Sequence, residues 1–320
     1  MNTATRVGAF GAGIALAFGA AFGLGRVVDP VTEGEPEPAV HAADHAPEAD
    51  EGHDEGGDEG GDEGHDDGHG GGHGEQAVAD GPGGLQVSER GYTLAPPTEA
   101  LPAGEETDFR FRVLGPEGEP LTAYDTSHEK DMHLIVVRRD LSGFQHVHPT
   151  LGDDGTWSVP LTFEAGGTYR VFADFVPAGD ADGGLTLGAD VAVAGEYAPE
   201  PLPEPARTAT VDGYTVTLDG ALNEGEESEL TLTISRDGQP VTDLEPYLGA
   251  DGHLVVLRSG DLAYLHVHPG ELAGGPDITF HTRAPSAGTY RLFLDFQHEG
   301  VVRTAEFTVT TDGHGHDHGA

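Results

Sequence analysis

Two matching stretches of this chain carry histidines at a spacing that could hold a metal ion. His253–Pro269 reads HLVVLRSGDLAYLHVHP, and His133–Pro149 reads HLIVVRRDLSGFQHVHP at a constant offset of 120 residues. In each, one histidine opens an apolar strand and a His-x-His pair closes the return strand of a β-hairpin. Residues two apart on a strand point to the same face. With Gly260-Asp261 as the hairpin tip, His253 falls opposite His268 and Val255 opposite His266, and directly opposed Cβ atoms lie ~4.5–5.5 Å apart. Three imidazoles then converge in each copy: His133, His146 and His148 in the first, and His253, His266 and His268 in the second. Zinc held by three histidines, with a fourth position left to water, is one known arrangement, and Cu(II) accepts the same nitrogens. The bland alternatives are histidines hydrogen-bonded into the rim of a sandwich, or a surface for another protein.

The elements around these hairpins read as strands throughout. Asp108–Leu114 alternates Phe109, Phe111 and Val113 with arginines, and Leu230, Leu232 and Ile234 alternate in the same way. Each repeat has about seven short strands with turn signals between them and no convincing helix, which predicts an immunoglobulin-like β-sandwich. AGGTYRVFADF (165–175) matches SAGTYRLFLDF (286–296). Tyr169 and Tyr290 stand where such a sandwich places its tyrosine corner. On the same strands Asp174 and Asp295 alternate with core residues, so they share the outer face with the histidines. Their register against His133 and His253 is not legible in the sequence. The candidate metal set is therefore His133, His146, His148 and Asp174, with His253, His266, His268 and Asp295. His128, Met132, His281 and His298 occur in one repeat only and read as incidental, although Met132 beside His133 could supply a soft ligand for Cu(I).

The predicted organisation is all-β: two tandem sandwiches, residues 85–197 and 206–311, joined by a Pro-rich linker at 198–205. They follow an N-terminal segment at 1–28 and an acidic His-rich linker at 29–84, and a His-rich tail at 312–320 closes the chain. Val7–Gly25 contains no charged residue and is long enough to span a bilayer as a helix. A cleaved signal peptide and an uncleaved anchor both fit; the length of the run and the poor cleavage site favour the anchor. Acidic residues from Asp29 onward place the bulk of the chain outside the cell. Asp29–Gly84 has no aromatic residue and is dense in Asp, Glu, Gly and His, a composition that predicts a disordered, charge-extended linker with weak metal sites. The formal net charge is −42, with a single lysine, Lys130. Such a surface repels nucleic acid and anionic lipid and suits cations. There is no cysteine, which excludes disulfides, thiolate metal sites and thiol catalysis.

The Gly/Ala-rich N-terminal segment, the His/Asp/Glu-rich linker, HLVVLRSGDLAYLHVHP and AGTYRLFLDFQHEG together resemble a family of actinobacterial exported proteins described as secreted or heavy-metal-associated. The modules are more distantly similar to small copper-related sandwiches of the CopC and YtkA type, through the G-x-P turn, the His-bearing strand and the G-x-Y strand. The resemblance implies copper or other heavy-metal handling at the cell envelope. Metal ions, and beyond them an envelope metal transporter, are the expected partners. The Met-rich Cu(I) pattern of some copper chaperones is missing, since Met132 is the only methionine beyond Met1. His268-Pro269-Gly270-Glu271 resembles part of a cupin motif, but the first repeat has no acid there and neither repeat has the later half. The expected function is therefore membrane-tethered, extracytoplasmic binding of copper, or failing that zinc, with no catalysis. A structural or adhesive module pair is the alternative.

Overall fold

A computed structural model describes residues 81–270 and 274–311. The candidate anchor, nearly all of the acidic linker and the C-terminal histidines lie outside these residues. Among the described residues no helix is long and apolar enough to cross a membrane.

The chain is all-β, as the alternation predicts, and forms two sandwiches. The main strands of the first are β1 (Tyr92–Ala95), β2 (Glu106–Leu114), β3 (His133–Arg138), β4 (Gln145–Val147), β5 (Thr156–Thr162), β6 (Gly167–Pro177) and β7 (Leu185–Ala194). One sheet runs β1-β2-β5 and the other β7-β6-β3-β4, with two-residue strands at the edges. The second sandwich comprises β8 (Thr208–Val211), β9 (Tyr214–Asp219), β10 (Glu227–Arg236), β11 (His253–Arg258), β12 (Tyr264–Leu265), β13 (Val267–Pro269), β14 (Asp277–Arg283), β15 (Thr289–His298) and β16 (Val301–Thr310). Its sheets run β8-β9-β10-β14-β13 and β12-β11-β15-β16. Phe109, Phe111 and Val113 enter the first core, and Leu230, Leu232 and Ile234 the second, as one face of each alternating strand must. Both tyrosine corners form: Tyr169 Oη donates to Ala165 O at 3.0 Å, and Tyr290 Oη to Ser286 O at 2.7 Å.

The return strand of the second hairpin departs from its expected course. In the first module β4 stays on β3, pairing Val147 with Leu134 and His146 with Ile135. In the second, the expected register holds for Val256↔Leu265 and Leu257↔Tyr264. The chain then crosses to the other sheet, and Val267–Pro269 pairs with β14, setting His268 against His281. His268 is therefore not opposite His253. Gly270 follows the crossing; its N–H bonds Thr279 O at 2.7 Å, and a Cβ there would stand 3.1 Å from that oxygen. The first repeat has Thr150 at the corresponding position, and its chain joins β5 only there, pairing Thr150 with Ser158, so it crosses three residues later than the second.

The two modules pack through the outer faces of their β3 and β11 sheets. Leu134 and Val136 point into the first core, whereas Ile135 and Val137 point out of it and are equally buried. They form a third apolar cluster with Leu141 and Phe172, and with Val255, Leu257, Leu262, Tyr264 and Phe293 of the second module. Phe144 stacks on Phe293 with ring centroids 4.0 Å apart and planes 4° from parallel. The Pro-rich linker closes this seam. Leu202 packs on the cluster, and the Glu200 N–H bonds Asp140 Oδ2 at 2.8 Å. At the other end, Gly83 bridges to Tyr264 and the Gly84 N–H bonds Thr186 O at 2.8 Å. The folded unit thus starts slightly ahead of the expected residue 85. Gly188 permits this threading, since a Cβ on it would lie 1.9 Å from Gly84 O.

Candidate metal centre

His133, His146 and His148 converge at one end of the module seam. His133 opens β3 on the outward face it shares with Ile135 and Val137, and Asp174 on β6 stands directly opposite it. His146 on β4 lies opposite Ile135, so it shares that face. One nitrogen from each of the three imidazoles lies within 4.8 Å of the other two.

The hydrogen-bond partners decide which nitrogens carry protons. His146 Nδ1 is 2.8 Å from Asp295 Oδ2, and both side chains are almost fully buried, at 1% and 4% exposure. A carboxylate accepts, so His146 donates through Nδ1–H and its Nε2 carries a bare lone pair. His133 Nε2 is 3.1 Å from Ser127 O. A carbonyl only accepts, so His133 donates through Nε2–H and its Nδ1 is bare. These two bare nitrogens face each other at 3.1 Å. Two lone pairs at that separation repel unless a positive centre lies between them. Ligand nitrogens on a tetrahedral ion with metal–nitrogen bonds of ~2.0–2.1 Å are ~3.3 Å apart. The third ring adds to this demand: His148 Nε2 is buried with no hydrogen-bond partner, and unpaired buried polar atoms are uncommon.

The site is also electrostatically suited to neutral ligands. Burial, reinforced by neighbouring His146 and only partly opposed by the Asp174 carboxylate, lowers the His133 pKa from 6.5 to about 4. Burial followed by the charges of His146 and His133 takes His148 to about 3. Neutral imidazole is the metal-binding form. Held by a carboxylate on one histidine and a backbone carbonyl on another, the rings have the outer partners that orient metal-bound imidazoles.

The second module contributes to this same cluster. His253 stacks on His133 with centroids 5.3 Å apart and planes 6° from parallel, and lies 4.8 Å from the His146 ring. Burial and the nearby His146 and His133 push its pKa well below the usual value. Asp295 stands opposite His253 in its own ladder, yet its carboxylate serves His146 of the other module while accepting from Thr304 Oγ1 at 2.6 Å. Two separate four-residue sites, one in each module, are therefore not what forms. His253 joins the first triad, while His266 and His268 face each other with centroids 4.3 Å apart and are exposed. Asp174 accepts from Thr186 Oγ1 at 2.8 Å and favours the protonated form of both His133 and His266.

His128 belongs to the cluster more than its one-repeat occurrence suggested. It lies 6.1 Å from His133 and 5.7 Å from His253 between ring centroids. It sits at φ 48° beside Glu129 at φ 64°, in the turn where Ser127 and Lys130 exchange backbone hydrogen bonds. Positive φ at two successive non-glycine residues is strained and uncommon. The same turn delivers the Ser127 carbonyl to His133. Met132 packs inside the first core, on the face opposite His133, and is no ligand. His298 is structural, bonded through Nδ1 to Tyr214 Oη at 2.6 Å and through Nε2 to Asp243 Oδ1 at 3.1 Å. A signal for the shared cluster was present in HLIVV and HLVVL. A strand apolar at successive positions is buried on both faces, so each hairpin had to be covered by something outside its own core.

No curated protein matches the chain in sequence. Among solved structures, the Yersinia pseudotuberculosis adhesin InvE aligns at 14% identity over 72% of this chain and 61% of its own, with a TM-score of 0.23. The chain thus spans about three fifths of that adhesin. Domains 4 and 5 of the S-layer protein SbsC align at 10% identity over 71% of this chain and 100% of theirs, with a TM-score of 0.22. A marsupial T cell receptor aligns at 11% identity over 70% and 63%, again with a TM-score of 0.22. A family described as a domain of unknown function, DUF8832, matches twice, over residues 86–184 and 209–313. With both sandwiches matched and more than half of the sequence covered, this chain is a member of the DUF8832 family.

Proposed function

We propose that this protein is a membrane-tethered, extracytoplasmic metal-binding protein that buries one ion between its two sandwiches. His133, His146 and His148 are the ligands, and Asp295 and the Ser127 carbonyl orient two of them. The observation that carries this is the pair of bare nitrogens, His133 Nδ1 and His146 Nε2, facing each other at 3.1 Å while their other nitrogens are committed to acceptors. Three imidazoles with a free coordination position suit Cu(II) or Zn(II); copper is the first choice and zinc the second. Tethering rests on the uncharged run Val7–Gly25. The acidic, His-rich stretch beyond it would raise the local concentration of cations near the site. An envelope metal transporter is the proposed partner, and no catalytic role is proposed.

One observation favours a second reading. A proton shared between His133 and His146 would also relieve the repulsion at 3.1 Å, and the histidines would then be architecture in an adhesive or structural module pair. Metal content separates the two. Residues 81–311, equilibrated with Cu(II) or Zn(II) and dialysed, should retain about one ion per chain by mass spectrometry, and His146→Ala should retain none. Retention of no metal by the parent protein would leave the proton-bridged, structural reading standing.

A further inference from the structure

The second module's His-x-His pair is not used by the buried centre, and the crossing of its return strand gives it different neighbours. β13 pairs with β14 so that His268 stands directly opposite His281. β14 pairs with β10 so that His281 stands directly opposite Glu229. His268, His281 and Glu229 thus form a row across three adjacent strands. Of the residues beside them, Phe280, Thr282, Ser228 and Leu230 are buried and Val267 packs against the core, so the row lies on the solvent face. Opposed Cβ atoms in such a ladder are ~4.5–5.5 Å apart. That spacing lets imidazole nitrogens and a carboxylate oxygen reach one ion at ~2.0–2.2 Å. His266 extends the row, with its ring centroid 4.3 Å from that of His268. A second carboxylate, Glu227 Oε1, lies 3.7 Å from His281 Nδ1.

We propose that His266, His268 and His281, with Glu229, form a second, solvent-facing site for a divalent cation of the Zn(II), Ni(II) or Cu(II) class. Duplication alone does not account for it, because the first module's β5, Thr156–Thr162, carries no histidine. Imidazole and carboxylate together suit this class of ion. His268 and Glu229 are exposed and His281 is half-buried, so the site binds more weakly and exchanges faster than the buried centre, and it stands or falls independently of that centre.

The test is a Zn(II) titration of the full-length ¹⁵N-labelled chain, following assigned imidazole resonances. His266, His268 and His281 should shift along one common isotherm, weaker than that of His133, His146 and His148. His281→Ala should weaken the response of His266 and His268 roughly tenfold or more, as loss of one ligand from a multidentate site requires, and leave the buried set unchanged. Glu229→Gln should act in the same direction and keeps the test open if His281→Ala folds poorly. Unrelated midpoints for the three histidines, or an unchanged response of His266 and His268 in both variants, would show independent surface imidazoles and overturn the site. Silence of His133, His146 and His148 would count against the buried centre alone.

Discussion

Replacing Asp295 by asparagine isolates the contribution of the second module to the buried centre. The carboxylate accepts from His146 Nδ1 at 2.8 Å and from Thr304 Oγ1 at 2.6 Å. Asparagine keeps the shape and removes the charge. Its amide can present oxygen to only one of these partners. If the NH₂ group faces His146, the ring must move its proton to Nε2, which removes the lone pair aimed at the ion. If the oxygen faces His146, the tautomer survives and only the charge is lost. The carboxylate lies about 6–7 Å from an ion bound at Nε2, allowing for the width of an imidazole and a bond of ~2.0 Å. At an effective dielectric of ~20, the lost attraction for a dication is bounded at about 5 kcal/mol. The cost of keeping a buried carboxylate charged reduces this, and outer partners of metal-bound histidines are typically worth about ten- to a hundredfold in affinity. Asp295→Asn should therefore weaken Cu(II) or Zn(II) binding about ten- to a hundredfold in competition with a chromophoric chelator. Asp174→Asn should matter less, since Asp174 is bonded to Thr186 and to no histidine. Unchanged affinity in Asp295→Asn, alongside lost binding in His146→Ala, would refute the tautomer reasoning.

Three further outcomes test the fold that holds the site. Phe293→Ala removes a fully buried ring stacked on Phe144 at the module seam; it should cost about 3–5 kcal/mol in denaturant unfolding and also weaken metal binding, because Asp295 is on the same strand. Burial raises the Asp140 carboxyl, but hydrogen bonds from Arg138, the Glu200 N–H and Ser142 outweigh it and hold the pKa at about 2 against an ordinary 3.8. A depressed carboxyl stabilises the fold above its unfolded pKa and loses that contribution as pH falls through the folded one. Asp140→Asn should thus cost roughly 2 kcal/mol at neutral pH, at 1.36 kcal/mol per pKa unit, and the difference from the parent should close between pH 4 and pH 2 in urea titrations. Tyr290→Phe removes the bond to Ser286 O at 2.7 Å and should lower stability by about 1 kcal/mol in the same assay, with no change in metal affinity.

Much of the architecture is legible in the residues. Phe109, Phe111 and Val113 alternate with arginine and enter the core as alternation requires. Gly-Thr-Tyr marks both tyrosine corners. Placing His133, His146 and His148 on one outer face with Asp174 needed only the two-residue period of a strand, and these three imidazoles do meet. The second copy fails the same test because its return strand leaves the hairpin after Leu265. Both return strands cross to the other sheet, the first only at Thr150–Leu151, after its histidines, and the second already at Val267; nothing local in QHVHP and LHVHP distinguishes the two crossing points. His128 was hidden for a related reason: a turn with two residues at positive φ brings it to the cluster, and its own sequence, Ser-His-Glu-Lys, has none of the glycine or asparagine that usually marks such a turn.

By itself the sequence determined what repeats along one strand or one repeat: the sandwich pattern, the duplication, the absence of thiolate ligands and the kind of atom that could hold an ion. These follow from side-chain alternation and composition, which act over a few residues. Only the tertiary structure decided which histidines face one another and which carboxylate serves them. Asp295 reaches His146 across 149 positions of sequence, and His253 turns to the first module's rings. Those contacts depend on two apolar outer faces packing in one orientation, because burying Ile135, Val137, Val255 and Phe293 together fixes where the polar ends of the same strands must meet.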